Sequence, residues 1–411
     1  ATGGAPLAIK WAVGQIKQRG QSLDTVLAAL HDARGDIFDN IFARSWSLLT
    51  ESARKVLIVM PIFATSASQE GIEAASDVHH FALDEALGQL VEMSLVDPTD
   101  VLDLTRRRYS IHPLTRAFAA AKLHRETATV QVIHQRVAEF FQAFAKEHGG
   151  FWSEEGYAQL EPELPNILTT IQWCWQNQLA KVGMSTFLHI NDFMIVRGYW
   201  PDAMTLGQEA IAIAKEGEDD HSAAAFRIWP VGWLHRHRGD LDSAEEHVTQ
   251  ALDVFERLGD ERWTAHAKRQ LGRILQERGQ FEEAKQLFEE ALAFFESTEK
   301  RRHIYFVTAN IADVALQQGD LDTAWDLCDG VLASARQFDD PERIAHLLNV
   351  LGGVARRRGD LRQAKGLWGE ALSQMERANR LDEIADGQLR LAQVEIEMGG
   401  EQAARQMLSK A

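Results

Sequence analysis

Between Gly239 and Gly399 the chain repeats one arrangement of apolar, small and turn-forming positions at a fixed interval. Gly239-Asp-Leu-Asp-Ser-Ala244 returns as Gly279-Gln-Phe-Glu-Glu-Ala284, Gly319-Asp-Leu-Asp-Thr-Ala324 and Gly359-Asp-Leu-Arg-Gln-Ala364, then decays to Gly399-Gly-Glu-Gln-Ala-Ala404. Successive glycines stand 40 residues apart. Seven positions before each lies a small residue (Gly232, Gly272, Ala312, Gly352, Ala392), preceded by an apolar one (Val231, Leu271, Ile311, Leu351, Leu391). Downstream come Ala244, Ala284, Ala324, Ala364 and Ala404, followed by Ala251, Ala291, Val331, Ala371 and Ala411. This pattern predicts two helices per unit around a tight turn. Small residues let helix backbones approach, the glycine supplies the positive φ that ends the first helix, and Asp240, Asp320 and Asp360 offer a carboxylate to the free N–H groups opening the second. One such unit cannot bury its apolar face alone, so the period predicts a stack.

The pattern differs upstream. Residues 1–35 read as helical, with Leu7, Ile9, Trp11, Ala12 and Ile16 as a mostly apolar strip directly after Gly3-Gly4-Ala5-Pro6, a start from which a preceding domain is expected. Residues 36–126 read as a compact mixed module: helices Ile37 to Leu49, Glu51 to Met60, about Glu70 to Ala75 and Phe81 to Met93. A hairpin follows, Leu95-Val96-Asp97 and Val101 to Leu104 against Arg108 to Ile111, with Asp97-Pro-Thr-Asp100 as turn chemistry. Helices closed by a small hairpin describe a winged helix. Residues 127–220 are helical without the strict period, although Gly198, Ala203 and Ala210 lie 41 residues before Gly239, Ala244 and Ala251. Residues 221–411 hold the clear repeats. The expected fold is mainly α, a winged-helix domain followed by an α-helical superhelix.

The repeat resembles the tetratricopeptide repeat (TPR), best in Leu271-Gly272, Ala284, Phe288 and Ala291. Its unit is longer than the common one of about 34 residues and lacks the usual terminal proline. Longer units of this kind look like those of kinesin light chains and bacterial signalling ATPases. Ser45-Trp46-Ser-Leu-Leu49, Ser52-Ala-Arg-Lys-Val-Leu57 and Ile111-His112-Pro113-Leu114-Thr-Arg116 follow in an order similar to the winged-helix domain of STAND-class ATPases of the NB-ARC type. Gly4-Ala5-Pro6-Leu7-Ala8 resembles that family's Gly-x-Pro motif, whose proline touches adenine. Ile111-His112-Pro113 stands where the family has Met-His-Asp, whose histidine contacts the β-phosphate of ADP; the proline is a departure. Leu160-Glu-Pro-Glu-Leu-Pro-Asn166, leading to Trp173-Cys-Trp175, resembles the passage joining winged helix to repeats. The resemblance implies that Pro6 and His112 contact nucleotide in a full-length parent, and that residues 1–35 are the remnant of an NB-ARC helical domain.

Chemistry sought in the chain is mostly absent. No Gly-x-x-x-x-Gly-Lys-Ser/Thr, His-Glu-x-x-His or Gly-x-Ser-x-Gly occurs. The expectation is therefore a non-enzymatic chain with no catalytic residue, metal or cofactor of its own, and ADP or ATP with Mg²⁺ only in the parent. His235 and His237 fall on opposite sides of a helix and His79-His80 are adjacent, so neither pair has ligand geometry. The net charge of −17 speaks against general nucleic-acid or membrane-surface binding. Residues 36–126 carry 9 Lys/Arg against 13 Asp/Glu, and counterion release would work against DNA recognition there. Arg106-Arg107-Arg108 reads as a solvated hairpin tip. Two cysteines without ligand or disulfide spacing and no run of about 18 apolar residues point to a cytoplasmic setting.

Placing the small residue of each first helix at TPR position 8 sets the face expected to bind ligand. It carries Phe226, Trp229, Trp233, Arg236 and His237, then His266, Arg269 and Arg273, then Phe306 and Asp313, and finally His346, Asn349, Arg356 and Arg357. Arginine with tryptophan is an interface composition. Its expected partner is a protein or peptide segment that is acidic or bears aromatics. The resemblance implies the regulatory and sensor arm of a bacterial STAND signalling ATPase in signalling or defence. Ligand on the repeats would release the nucleotide domain, and the parent would oligomerise to activate an N-terminal effector. Two alternatives stand beside it: a free-standing TPR adaptor, and a transcription regulator controlled by TPRs.

Overall fold

The computed structural model describes residues 37–100, 107–123, 127–149, 154–378 and 380–408. Pro6, the 1–35 segment and the expected hairpin strand at 101–104 lie outside these residues. The described chain is mainly helical and divides into two compact units. Of the described residues, one takes in those up to 149 with 158–189, the other 154–157 with those from 190 onward.

The first unit begins with α1 (Ile37–Leu48), α2 (Glu51–Val59), β1 (Ser66–Ser68), α3 (Gln69–Ser76), α4 (His80–Glu92), β2 (Asp97–Asp100) and β3 (Arg107–Ser110). It continues through α5 (Pro113–Leu123) and α6 (Thr127–His148); α7 (Glu154–Leu160), α8 (Leu164–Gln176) and α9 (Ala180–Val196) follow. Thr50 and Ser68 open α2 and α3 by accepting the backbone N–H of Ala53 and Gly71, each at 3.2 Å. Leu57, Met60, Phe63, Ile72, Leu83, Leu90 and Phe141 are buried together with the sheet residue Ala67.

Two expectations are corrected here. Asp97-Pro98-Thr99-Asp100, read as turn chemistry, is itself a strand, paired antiparallel with Arg107–Ser110. It lies at the edge of a three-stranded sheet of order β1-β3-β2, where a proline lacking N–H is tolerated. The third strand, Ser66–Ser68, is too short to leave a periodic signal. Arg108, read as part of a solvated tip, is buried: its Nη1 donates to Glu163 Oε1 at 2.5 Å, and its Nε and Nη2 bond Ser66 Oγ and O at 2.9 and 2.8 Å. Asn166 completes this knot, accepting from Ala64 N at 2.8 Å and donating to Ser66 O and Glu163 Oε2 at 2.8 and 2.7 Å.

The second unit is a TPR superhelix of helix pairs. After α9 come α10 (Trp200–Glu216), α11 (Asp220–Phe226), α12 (Trp233–His237), α13 (Leu241–Leu258), α14 (Glu261–Glu277) and α15 (Phe281–Ser297). They continue as α16 (Arg301–Gln318), α17 (Leu321–Gln337), α18 (Pro341–Arg357), α19 (Leu361–Arg377), α20 (Leu381–Glu397) and α21 (Glu401–Leu408). Gly239, Gly279, Gly319, Gly359 and Gly399 all have φ between 78 and 90°, as the turns demand. Asp240, Asp320 and Asp360 accept the N–H of Ser243, Thr323 and Gln363 at 3.2, 3.2 and 2.9 Å. Asp219, Asp260 and Asp340 cap the first helices of three pairs in the same way. Ala244, Ala284, Ala324 and Ala364 are fully buried where helices cross. Between α11 and α12 the helix is broken, with Trp229 extended (φ −144°, ψ 109°) ahead of Pro230.

Candidate functional site: an arginine-rich cavity inside the repeats

The first helix of each pair faces inward, and six successive inner segments surround a cavity of about 440 Å³. Asp192 and Ile195 come from α9, and Ile228, Trp229, Trp233, Arg236 and His237 from the broken helix. The others stand on α14, α16, α18 and α20. Seven of the lining residues are arginines (Arg236, Arg262, Arg269, Arg273, Arg302, Arg343, Arg380), against the three carboxylates of Asp192, Glu342 and Glu383. On a chain of net charge −17 this is a local reversal of sign.

Most of these cations are paired. Arg236 binds Glu277 and donates to His237 Nε2 at 2.7 Å, while Arg302 Nε meets Asp340 Oδ2 at 2.6 Å. Arg380 bridges Glu342 at 2.6 Å and Glu383 at 2.9 Å, and Arg343 binds Glu342. Three arginines of α14 differ. Arg262 and Arg269 make no ion pair or hydrogen bond through their side chains, among the described residues, and Arg273 reaches only Asn310 Oδ1 at 3.1 Å. Arg269 Nε is shut off from solvent without an acceptor. Its guanidinium lies 4.7 Å from the centre of the Phe306 ring, which Arg343 approaches to 5.3 Å. Desolvation, then the charges of Arg273, Arg343 and Arg236, pull Arg269 down to about 9.

Aromatic and titrating groups form the walls. Trp229 packs edge-on to Trp233 at 5.2 Å, and Trp233 stacks on His237 at 3.6 Å. The rings of His266 and His303 are 4.8 Å apart. Both histidines are held below the usual value, first by desolvation and then by neighbouring positive charge, and so stay neutral near pH 7. Asp192 accepts the Trp229 indole N–H at 2.9 Å, and its carboxyl is pushed up to about 6, chiefly by desolvation. At the far side Glu342, His346 and Glu383 bring one ligand atom each within 4.8 Å of one another, a spacing compatible with a metal. Both carboxylates are already bound by arginine, which makes the trio part of the ion-pair network and a poor cation site.

The expected ligand-binding residues divide on this geometry. Trp229, Trp233, Arg236, His237, His266, Arg269, Arg273, Phe306 and His346 all line the cavity. Phe226 does not. It is buried in the core, because the break at Trp229-Pro230 shifts the helical register on which its position was counted. Asn349 lies outside the cavity, and its carbonyl accepts the Trp368 indole N–H at 3.0 Å. Arg356 pairs with Glu397, and with Arg357 borders a separate depression near Trp368 and Arg390. Asp313 accepts from Gln276 and Gln317 instead. His112 is exposed at the strand-to-helix junction, where its Nδ1 accepts the Leu114 N–H at 3.2 Å. Arg262, Trp263, Arg302, His303, Arg343, Arg380 and the three acids were not anticipated. The inner helices begin a turn earlier than a common TPR, at Glu261, Arg301 and Pro341, and this extra turn carries Arg262, Trp263, Arg302, His303, Glu342 and Arg343. The length of the period was the signal for it.

Comparison with known proteins places the chain. It is 23% identical over 231 residues to the transcription activator GutR of Bacillus subtilis (strain 168), which covers 54% of this chain and 28% of that protein. The chain thus spans little more than a quarter of that curated relative. A solved STAND protein with a tetratricopeptide repeat sensor, from Pyrococcus horikoshii, superposes with a TM-score of 0.53 at 14% identity. That match covers 99% of this chain and 66% of the other, just short of two thirds of it. A Rap protein complexed with Competence and Sporulation Factor matches at 15% identity and a TM-score of 0.49, over 66% of this chain and 75% of the other. Among the described residues no helix is long and apolar enough to cross a membrane. The MalT-like TPR region family matches residues 192–411, the stretch that holds every lining residue of the cavity, and this chain belongs to that family.

Proposed function

We propose that this chain is the regulatory and sensor arm of a STAND-type signalling ATPase, with the arginine cavity as its ligand site. One observation carries the reading: among the described residues, three arginines on the inner face of α14 lack carboxylate partners in the middle of an otherwise paired network. Evolutionarily neutral packing does not require self-repelling guanidinium groups beside aromatic rings, whereas an anionic ligand supplies the missing counter-charge. An acidic, aromatic-bearing segment of a protein or peptide and a small anion that carries a ring both fit this composition. Residues 36–126, with their helices and small antiparallel sheet, act as the winged helix that couples ligand to nucleotide state. Pro6 and His112 then belong to the ADP contacts of the parent, whose ATPase domain, effector and oligomerisation complete the switch.

Ligand binding shifts such a switch only if it favours the open state, so the test measures that coupling. In the longer protein, ADP retention and oligomeric state are followed while small-molecule and macromolecular fractions of a cell extract are added. Arg269→Glu with Arg273→Glu should abolish the response and leave helicity unchanged. An equal response in wild type and double variant removes the sensor reading. The likeness to GutR favours a second reading, a transcription activator in which the same cavity senses the inducer. In that case the variant loses induced transcription, without dependence on ADP release.

A further inference from the structure

We propose that the occupant of the cavity is a small phosphate monoester attached to a flat ring system, taken up whole. The proposal rests on the sensor reading above and specifies its ligand. Hydrogen-bond capacity carries the argument. A guanidinium offers five N–H donors and accepts nothing, and the carboxylates that line the cavity are engaged, two by arginines and Asp192 by the Trp229 indole. A polypeptide segment brings a backbone N–H with almost every residue, and these would find few free acceptors here. The phosphate group of a monoester brings acceptor oxygens and no N–H.

Charge and shape narrow the class further. Arg262, Arg269 and Arg273 stand at intervals of seven and four on one helix, hence on one face. A carboxylate has two oxygens to share among three guanidinium groups that pair with no carboxylate among the described residues, whereas a phosphate monoester has three and carries nearly two negative charges near pH 7. The arginine that most lacks a partner, Arg269, lies against Phe306, so an anion held there has an aromatic face next to it. Trp263, one residue from Arg262, adds a second ring on the same helix. A volume of about 440 Å³ suits a ligand of nucleotide size and falls within the range of small-molecule pockets, about 300–1,000 Å³. The indole-bonded Asp192 across the cavity is placed to accept from a sugar or ring hydroxyl once deprotonated.

Calorimetric titration of the full chain decides the matter, with adenosine 5′-monophosphate, phenyl phosphate, inorganic phosphate, adenosine and a hexaglutamate peptide as probes. The expected result is that a ring-bearing phosphate binds at least about tenfold tighter than inorganic phosphate while adenosine gives no heat. The two esters separate a nucleotide from a simpler aryl phosphate. Arg269→Gln should weaken the tighter ester by about tenfold or more, and so should Arg262→Gln, an exposed change that leaves the fold intact. Hexaglutamate binding tighter than either ester, and losing that affinity in Arg269→Gln, overturns the phosphate proposal and leaves the sensor reading standing. Esters that bind no tighter than inorganic phosphate also overturn it. If no probe binds and the Arg269→Glu/Arg273→Glu protein still responds to extract, both readings fall.

Discussion

Gly352→Ala should unfold the repeats more easily, although alanine is the better helix former. Gly352 lies inside α18, and a Cβ built there would stand 2.5 Å from Cδ1 of Trp368 and press equally on its Nε1. Carbon atoms pack at about 3.5–4.0 Å, so the indole must retreat by about 1 Å. Trp368 is buried and donates its N–H to the Asn349 carbonyl at 3.0 Å, a bond that the retreat would strain. Overpacking of this kind costs about 1–3 kcal/mol, and loss of the indole bond about 1 kcal/mol more. Helix propensity returns about 1 kcal/mol, for a net loss of about 1–3 kcal/mol. The neighbouring layer supplies the control. There Ala312 and Cys328 hold the equivalent positions and are both fully buried in one core, while the layers with Gly272 and Gly352 present Phe288 and Trp368. Small residue and partner therefore trade volume, and Gly352→Ala combined with Trp368→Cys should recover most of the loss. Urea unfolding of the four proteins, read by circular dichroism, gives the coupling, expected at about 1 kcal/mol or more. Stabilisation by Gly352→Ala alone, as propensity dictates, would refute the reasoning.

Asp192 should make stability depend on pH. Its folded value near 6 lies above the ordinary 3.8, so the native chain holds this proton longer; the contribution is complete below 3.8 and is lost as pH rises through 6. Asp192→Asn keeps the oxygen facing Trp229 and should remove that slope, raising stability at pH 8 by roughly 1–3 kcal/mol; parallel melting curves from pH 5 to 8 for both proteins would contradict it. Arg108→Ala leaves Glu163 buried without its partner and should cost about 3–5 kcal/mol in thermal or urea unfolding, where a solvated arginine would cost almost nothing. If the chain is the arm of an ATPase, as proposed, His112→Ala should speed ADP release from that ATPase; unchanged retention would assign His112 to its Leu114 bond alone.

The repeats were legible because their physics is local. A positive-φ glycine, a capping aspartate and a small crossing residue each need a particular residue type at a particular place, and the period multiplies that signal. Arg269 and Arg273 could be placed on the inner face for the same reason, since one register count serves the whole regular helix. The count failed where regularity failed. Beyond the break at Trp229 it put Phe226 on the wrong side, and at the start of each inner helix it stopped short of the extra turn that carries Arg262 and His303. Pairing was harder to read than position. Arg108 meets Glu163 across 55 residues, and Arg380 meets Glu342 across 38. Nothing in a sequence distinguishes these cations from Arg262, which meets no carboxylate among the described residues. What marks the cavity as the proposed site is which of its arginines lack a carboxylate among the described residues, and that depends on how six inner segments close around one volume. Periodicity places each charge on its helix, but only the packed superhelix determines whether that charge is already neutralised.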